Sequence, residues 1–365
     1  MRFIHVSDIN IGANPDSDKS WGKERAGDFK DTLKKVVDKA KEIDCDLLLI
    51  SGNLFCHQPV TRELSEVNLL FSSIPATRVV IVAGSSDRLR KNSSVLSFKW
   101  SSNVSCVLGE NFEKIKLPAL HTTVYAASQT EEKRDIKALI REMSEEAGKE
   151  PEYINILLMY NEAYGDEDAE VEIRDIIAGS SFSYAALGGR HEHYELIRER
   201  CAYAGYLSPV GMSTPGEHGI LVGDISLASK RMPGFDFIKM ADIAYIPIRI
   251  EINAAVSSDE LERTVAGEIE KRGEKNIYKL KITGKRNPDT VIDFKDLKKR
   301  YRIEETVDET EPEYDFSKLF AEHPDDIIGY YISSVMKDDE DRGSLEKRAM
   351  YYAVDALLST ERKRS

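Results

Sequence analysis

Three apolar runs constrain this chain more than any other feature: "RFIHVS" from residue 2, "DLLLISG" from residue 46 and "RVVIVAG" from residue 78. Each has the length of one strand, and each ends in a small or polar residue. A strand with one wet face alternates apolar and polar side chains, whereas unbroken runs belong to strands covered on both faces. Between the first two runs, Phe29, Leu33, Val36, Val37, Ala40 and Ile43 recur at helical spacing in a charged background. Between the second and third, Leu64, Val67, Leu70 and Phe71 do the same. Buried strands alternating with amphipathic helices predict a layered α/β domain.

"NVSCVL", "TTVYAAS", "INILLMY", "YAALGG" and "HGILVGDIS" are further candidate strands, and a charged helix is expected near residues 131 to 147. A chain of 365 residues is too long for one ordinary core. We expect a first domain over 1–230 and a small α+β domain over 240–308. In the second, "IAYIPIRIEI" and "IYKLKITG" alternate as strands, and "SSDELERTVAGEIEKRG" opens with the Ser-x-x-Glu pattern of a capped helix. The acidic "EETVDETEPEYD" reads as a linker. Beyond it, over 313–365, Ile327, Ile328, Tyr331 and Val335, then Leu345, Ala349, Tyr352, Ala353, Ala356 and Leu357, mark two amphipathic helices. That pair is too small to bury both apolar faces alone, and Tyr330, Tyr331, Tyr351 and Tyr352 add aromatic surface of the kind enriched at interfaces.

Composition removes several functions. No apolar stretch approaches the ~20 residues that cross a bilayer, and "MRFIHVSD" lacks the layout of a signal peptide. Cys45, Cys56, Cys106 and Cys201 form no CxxC pair, so free thiols in a reducing compartment, the cytoplasm, are expected. A net charge of −13 argues against strong non-specific nucleic-acid binding, although a local basic groove or a partner can still supply grip. No G-x-x-x-x-G-K-[ST] loop is present, so ATP chemistry would have to come from a partner.

In open α/β sheets, ligands collect at the carboxyl ends of strands. Here those ends read "SDINIG" (7–12), "SGNLFCHQP" (51–59), "GSSD" (84–87), "MYNEAYG" (159–165) and "LGGRHEH" (187–193). This ordered set resembles the calcineurin-like metallophosphoesterases, whose turns read D-x-H, G-D-x-x-[DH], G-N-H-[DE], a lone His and G-H-x-H. "MRFIHVSDINIG", "LLLISGNLF", "YAALGGRHEHYEL" and "AYAGYLSP" are most similar to the SbcD-type DNA repair nucleases, including the YhaO-like branch. The resemblance spans essentially the whole chain. It implies a metallophosphoesterase-type layered β-sandwich flanked by helices, a small α+β capping domain and C-terminal helices that dock on an SMC-like ATPase. It also makes DNA a candidate ligand and a homodimer a candidate assembly.

The family's residues carry over unevenly. Asp8 and His191 keep the ligand that the resemblance assigns to them. Asn10 stands for a His, Asn53 for the metal-bridging Asp, Ser85 for the metal-binding Asn, Tyr160 for the lone His and Gly189 for the first His of the last turn. Ser86 occupies the place of the catalytic His, while Asp87 keeps the acidic end of its turn. Two dications 3.5–4 Å apart repel by roughly 15–20 kcal/mol even at an effective dielectric of 20, and a bridging carboxylate normally offsets this. Asn53 retains that shape without its charge. We therefore expect no two-metal centre, no manganese cofactor and a catalytically inactive scaffold or regulatory subunit.

Two other readings stay open. A working phosphoesterase with a rebuilt mononuclear site would join Asp8 and His191 to Cys56, His57, Asp87 or His193, all acceptable zinc ligands. An interaction module unrelated to DNA is the other. A serine hydrolase using Ser85 or Ser86 with His5, His57 or His191 as base lacks the G-x-S-x-G elbow.

Overall fold

The computed structural model describes every residue except 133, 162–166, 233, 289, 291, 337–350 and 359–365. The expected sites at Leu345 and Ala349, and residues 162–165 of the fourth turn, lie outside the described residues.

The chain divides into two compact units, Met1–Ala244 and Tyr245–Ser365. The first is built on two six-stranded sheets. In one, β1 (Arg2–Val6), β2 (Leu47–Ile50), β3 (Arg78–Ile81) and β4 (Val104–Cys106) run parallel. Two antiparallel strands, β11 (Gly219–Asp224) and β12 (Phe235–Lys239), extend it beyond β1. In the other, β6 (Thr122–Ala127), β7 (Ile154–Tyr160), β8 (Tyr184–Gly188) and β10 (Cys201–Tyr203) are parallel. Its edges are antiparallel: β5 (Glu113–Leu117) beside β6 and β9 (Tyr194–Ile197) beside β10.

Alternation along each strand explains the unbroken apolar runs. Phe3, Leu47, Leu49 and Val80 pack with Val124, Ile156, Leu158 and Tyr184 of the second sheet, forming the interior of a sandwich. Their neighbours Ile4, Val6, Leu48, Ile50 and Val79 face the other way, against Phe29, Leu33 and Val36 of α1 (Gly22–Glu42) and Leu64 and Val67 of α2 (Thr61–Ser72). On the outside of the second sheet, Leu157, Met159 and Leu187 pack with Ile140 and Met143 of α3 (Ile136–Gly148) and Ile173 and Ile177 of α4 (Glu167–Ala178). The order is helices, sheet, sheet, helices, as the layered α/β reading expects. Helix α3 starts five residues later than expected, with Asp135 as its N-cap accepting from the backbone N–H of Lys137 and Ala138.

The second unit has a parallel three-stranded sheet, β13 (Tyr245–Ile252), β14 (Ile277–Arg286) and β15 (Arg302–Pro312), with α5 (Ser258–Arg272) and α6 (Lys295–Arg300). Ser257 caps α5, its hydroxyl accepting from the Glu260 N–H, as the Ser-x-x-Glu pattern predicts. One expectation fails. The acidic run read as a linker is mostly β15, where Lys279 and Lys281 on β14 pair with Glu305 and Glu309, and Lys285 pairs with Glu313 just beyond the strand. Opposed charges on neighbouring strands remove the repulsion that makes an isolated acidic run extended and solvated. Beyond β15 come α7 (Phe316–Glu322), α8 (Ile327–Met336) and a helical segment over 351–358. Ile328, Ile332 and Val354 form their small core, with Tyr314, Phe316 and Leu319 packed against it.

Candidate functional site

The first two expected turns are joined by backbone hydrogen bonds. Asp8 N–H donates to Gly52 O at 3.0 Å, Asn10 N–H to Asn53 O at 2.9 Å and Ile11 N–H to Leu54 O at 2.9 Å. Asp8, Asn10 and Asn53 all hold left-handed backbone conformations, with φ of 49°, 54° and 50°. Asp and Asn tolerate this region better than other non-glycine residues, yet such conformations still cost of order 1–3 kcal/mol each and concentrate at functional sites.

These turns bring Asp8, Asn53 and Tyr160 into one buried cluster. Asn53 Nδ2 donates to Asp8 Oδ1 at 2.7 Å and to the Tyr160 hydroxyl at 3.0 Å. Asn53 Oδ1 accepts from the Ser86 backbone N–H at 2.9 Å, which assigns the orientation of the amide. Ser7 Oγ donates to Asp8 Oδ2 at 2.6 Å, and Gly189 supplies a further backbone hydrogen bond to that carboxyl. Ser85 Oγ donates to the Tyr160 hydroxyl at 3.1 Å. The Asn10 side chain turns back, Nδ2 donating to the Asp8 carbonyl at 3.0 Å. Ser86 joins the cluster through its main chain.

Electrostatics follow burial. Desolvation pushes Asp8 up from its ordinary value to about 7, against the hydrogen bonds from Ser7, Asn53 and Gly189. Asp87 is pushed up to about 6, again by burial. Its carboxylate accepts from the backbone N–H of Gly84 at 2.7 Å and of Phe55 at 3.1 Å, so it closes the third turn and ties it to the second. Burial, with Asp8 nearby, drives the Tyr160 phenol well above its usual range. Beneath the cluster His5 lies between the sheets, bonded to Tyr184 Oη at 2.9 Å and Ser51 Oγ at 2.8 Å. Burial drops it to about 3 and keeps it neutral.

The last turn is the most constrained in its backbone. Gly189 has φ of 102°, and a Cβ there would stand 2.1 Å from the Asn161 carbonyl oxygen, so no side chain fits. His191 is exposed, its ring tilted against Tyr206 at a centroid distance of 4.8 Å. His193 Nδ1 bonds to the Tyr203 carbonyl at 3.1 Å. The residues expected to assemble around a single metal thus take separate partners: Asp87 holds backbone amides, and Cys56 pairs with His57. Neither His5 nor His57 bonds Ser85 or Ser86 as a base would.

A pair of dications does not fit this donor set. Both Asp8 oxygens already accept hydrogen bonds, and the group that would bridge the ions donates two N–H bonds. Tyr160 packs on Gly52, where a Cβ would come within 2.4 Å of its ring. Among the described residues, no group of three or more His, Cys, Asp or Glu side chains is placed to hold a metal ion.

Reading by motif order found the turns but not the residues that complete the cluster. Ser7 and Ser51 sit inside the strand-ending motifs and carry no signal of their own. The His5–Tyr184 pair joins positions far apart in sequence.

Two mostly parallel sheets, packed face to face with helices outside and polar turns at the strand ends, define a phosphoesterase-type fold. The family model for the calcineurin-like phosphoesterases matches residues 1–217, and the chain belongs to that family. Among solved structures, the chain is similar to the crystal structure of TT1561 of Thermus thermophilus. They share 15% identity over 65% of this chain and 98% of that one, with a TM-score of 0.39. A search of curated proteins found no match. Among the described residues, no helix is long and apolar enough to cross a membrane.

Proposed function

We propose that this protein is an SbcD-like subunit that lacks metal-dependent phosphodiester hydrolysis and acts as a scaffold or regulatory partner of an SMC-like ATPase, beside or on DNA ends. The observation that carries the reading is Asn53. A two-metal centre needs a negative charge there, shared by both cations; Asn53 instead donates to Asp8 and Tyr160. Ser86 reinforces it, because a hydroxyl at neutral pH does not protonate a leaving group as an imidazolium does. A positioned general acid contributes about 10²–10⁴-fold, and the metals contribute more.

The resemblance and the C-terminal helices support that partner. Ile327 is 69% exposed and Tyr330 66% exposed, on the same short helix whose other face is buried. Apolar and aromatic surface of this kind suits a partner helix better than water.

The test is metal content and cleavage together. Protein soaked in millimolar manganese and desalted should hold fewer than two ions per chain, and should not degrade linear DNA with or without ATP. Metal-dependent cleavage that survives purification and disappears in Asp8→Ala would overturn the reading in favour of a rebuilt active site.

A further inference from the structure

Cys56, His57 and Glu63 form a hydrogen-bonded line that the Asp8 cluster does not use. Cys56 Sγ lies 3.2 Å from His57 Nδ1, and His57 Nε2 lies 3.2 Å from Glu63 Oε2. Glu63 is fixed in the first turn of α2, where Oε2 also accepts from the Val60 backbone N–H at 2.9 Å. The imidazole is backed by Gly12, with φ of 89°, where a Cβ would come within 2.4 Å of His57 Cε1. The Cys56 N–H donates to the Ile11 carbonyl at 3.1 Å. The Glu63 side chain is therefore held by backbone, the Cys56 main chain is fixed, and His57 is packed on Gly12.

The bonding pattern assigns the tautomer. A carboxylate only accepts, so the ring proton sits on Nε2 and faces Glu63. Nδ1 keeps its lone pair and faces the thiol. Nucleophile, base and orienting carboxylate in that order is the arrangement that activates a weak nucleophile. At rest the thiol stays protonated: burial raises it above its ordinary value, and the Glu63 and Asp87 carboxylates add to the effect. Attack must therefore be coupled to proton removal. Cys45 and Cys201 are buried and Cys106 is half-buried, and burial raises all three thiols. None of those three has a hydrogen-bonded imidazole among the described residues.

We infer that Cys56 is a base-assisted nucleophile and a modification site for low-molecular-weight disulfides, with His57 as its base and Glu63 as the residue that positions the base. As Sγ attacks one sulfur of R–S–S–R, His57 Nδ1 takes the thiol proton. The new S–S bond forms as the old one breaks, and the leaving thiolate recovers the proton from His57 and departs as R–SH. The disulfide is the oxidant, so no other reagent is needed. Exchange of this kind requires an open approach to sulfur and a proton acceptor, not an oxyanion site. Half-buried Cys56 beside exposed His57 offers both.

The test uses the full-length protein and oxidised glutathione, with peptide mass mapping against time. Cys56 should acquire the mixed disulfide before the other cysteines, at least about ten-fold faster than a cysteine in an unstructured peptide at the same pH. His57→Ala should lose that advantage, added imidazole should restore part of it, and Glu63→Gln should lower the rate by a smaller factor. If His57→Ala does not fold, His57→Gln fills similar space without a base and carries the same comparison. A packing role for His57 gives the opposite sign, since truncation would uncover the thiol and speed its reaction. That outcome, a wild-type rate equal to the peptide's, or a folded variant that imidazole fails to rescue, would overturn the inference.

Discussion

Asn53 holds Asp8: its Nδ2 donates to Asp8 Oδ1 at 2.7 Å, inside a cluster where the Asp8 carboxyl is wholly buried. The same amide donates to Tyr160 and accepts from Ser86, so every hydrogen-bonding group of that side chain is engaged. A carboxylate at residue 53 would face the buried Asp8 carboxyl with no cation between them. The Asn53 amide neither adds charge nor leaves a donor unused.

Asn53→Asp should therefore destabilise the protein, not repair it. The change removes two donors and sets two buried carboxyls at hydrogen-bond distance. We expect a loss of about 3 kcal/mol or more at pH 8, and a smaller one at pH 5, where the pair can share a proton. Urea unfolding at both pH values checks this; equal losses would mean the two carboxyls do not face each other.

Asp8→Asn should move stability the other way as pH rises. Asp8 is held at about 7 in the folded chain against an ordinary value of 3.8, so the folded state binds the extra proton. That contribution is complete below pH 4 and is lost as pH climbs to 7 and beyond. Asparagine does not titrate, and the φ of 49° suits it. Relative to wild type, the variant should gain about 2–4 kcal/mol between pH 4 and pH 8. Asp87, raised to about 6, has the same sign in both proteins. Parallel melting curves across that range would refute a buried, proton-holding Asp8.

Gly189→His should fail alone and in combination. Residue 189 has φ of 102°, and its Cβ would meet the Asn161 carbonyl at 2.1 Å. Backbone strain of about 1–2 kcal/mol per residue adds to the overpacking penalty of about 1–3 kcal/mol. Adding this substitution to Asn10→His, Asn53→Asp, Ser85→Asn, Ser86→His and Tyr160→His should yield a poorly folded chain that binds no manganese. Calorimetric titration beside a circular-dichroism melt decides it, and stoichiometric manganese binding by the sixfold variant would show that the last turn can re-form.

Deletion of residues 313–365 should leave the β13–β14–β15 sheet folded and abolish capture of an SMC-like ATPase, the partner proposed above. The core beneath that sheet is formed by Ile248, Leu261, Val265, Tyr278, Leu280 and their neighbours, none of them in the arm. What is lost includes the bond from Tyr314 Oη to Asp355 Oδ1 at 2.6 Å and the Glu313 pairing with Lys285. A collapsed melting transition would assign the helices to the core instead.

How much of this was legible depends on whether each signal was local. The runs at Phe3–Val6, Leu47–Ile50 and Val79–Val82 announce doubly covered strands because each residue's burial is written in its own side chain. β15 was not legible, because Glu305 and Glu309 look solvated until Lys279 and Lys281 arrive from another strand. α4 and the short strands β9 and β10 escaped notice for want of a long periodic run. Motif order located the turns, and chemistry separated Asn53 from an aspartate. No sequence pattern reports that Tyr160 packs on Gly52, or that residue 189 has no room for a side chain; both depend on backbone brought together from different strands.

The donors to the Asp8 carboxyl come from Ser7, Asn53 and Gly189. During synthesis the chain must therefore extend past residue 189 before the last of them exists, and until then Asp8 stands in water, ionised. Closing the second sheet over the first asks that carboxylate to take up a proton as it is enclosed. Maturation of this domain should accordingly be faster in mildly acidic solution than in alkaline solution.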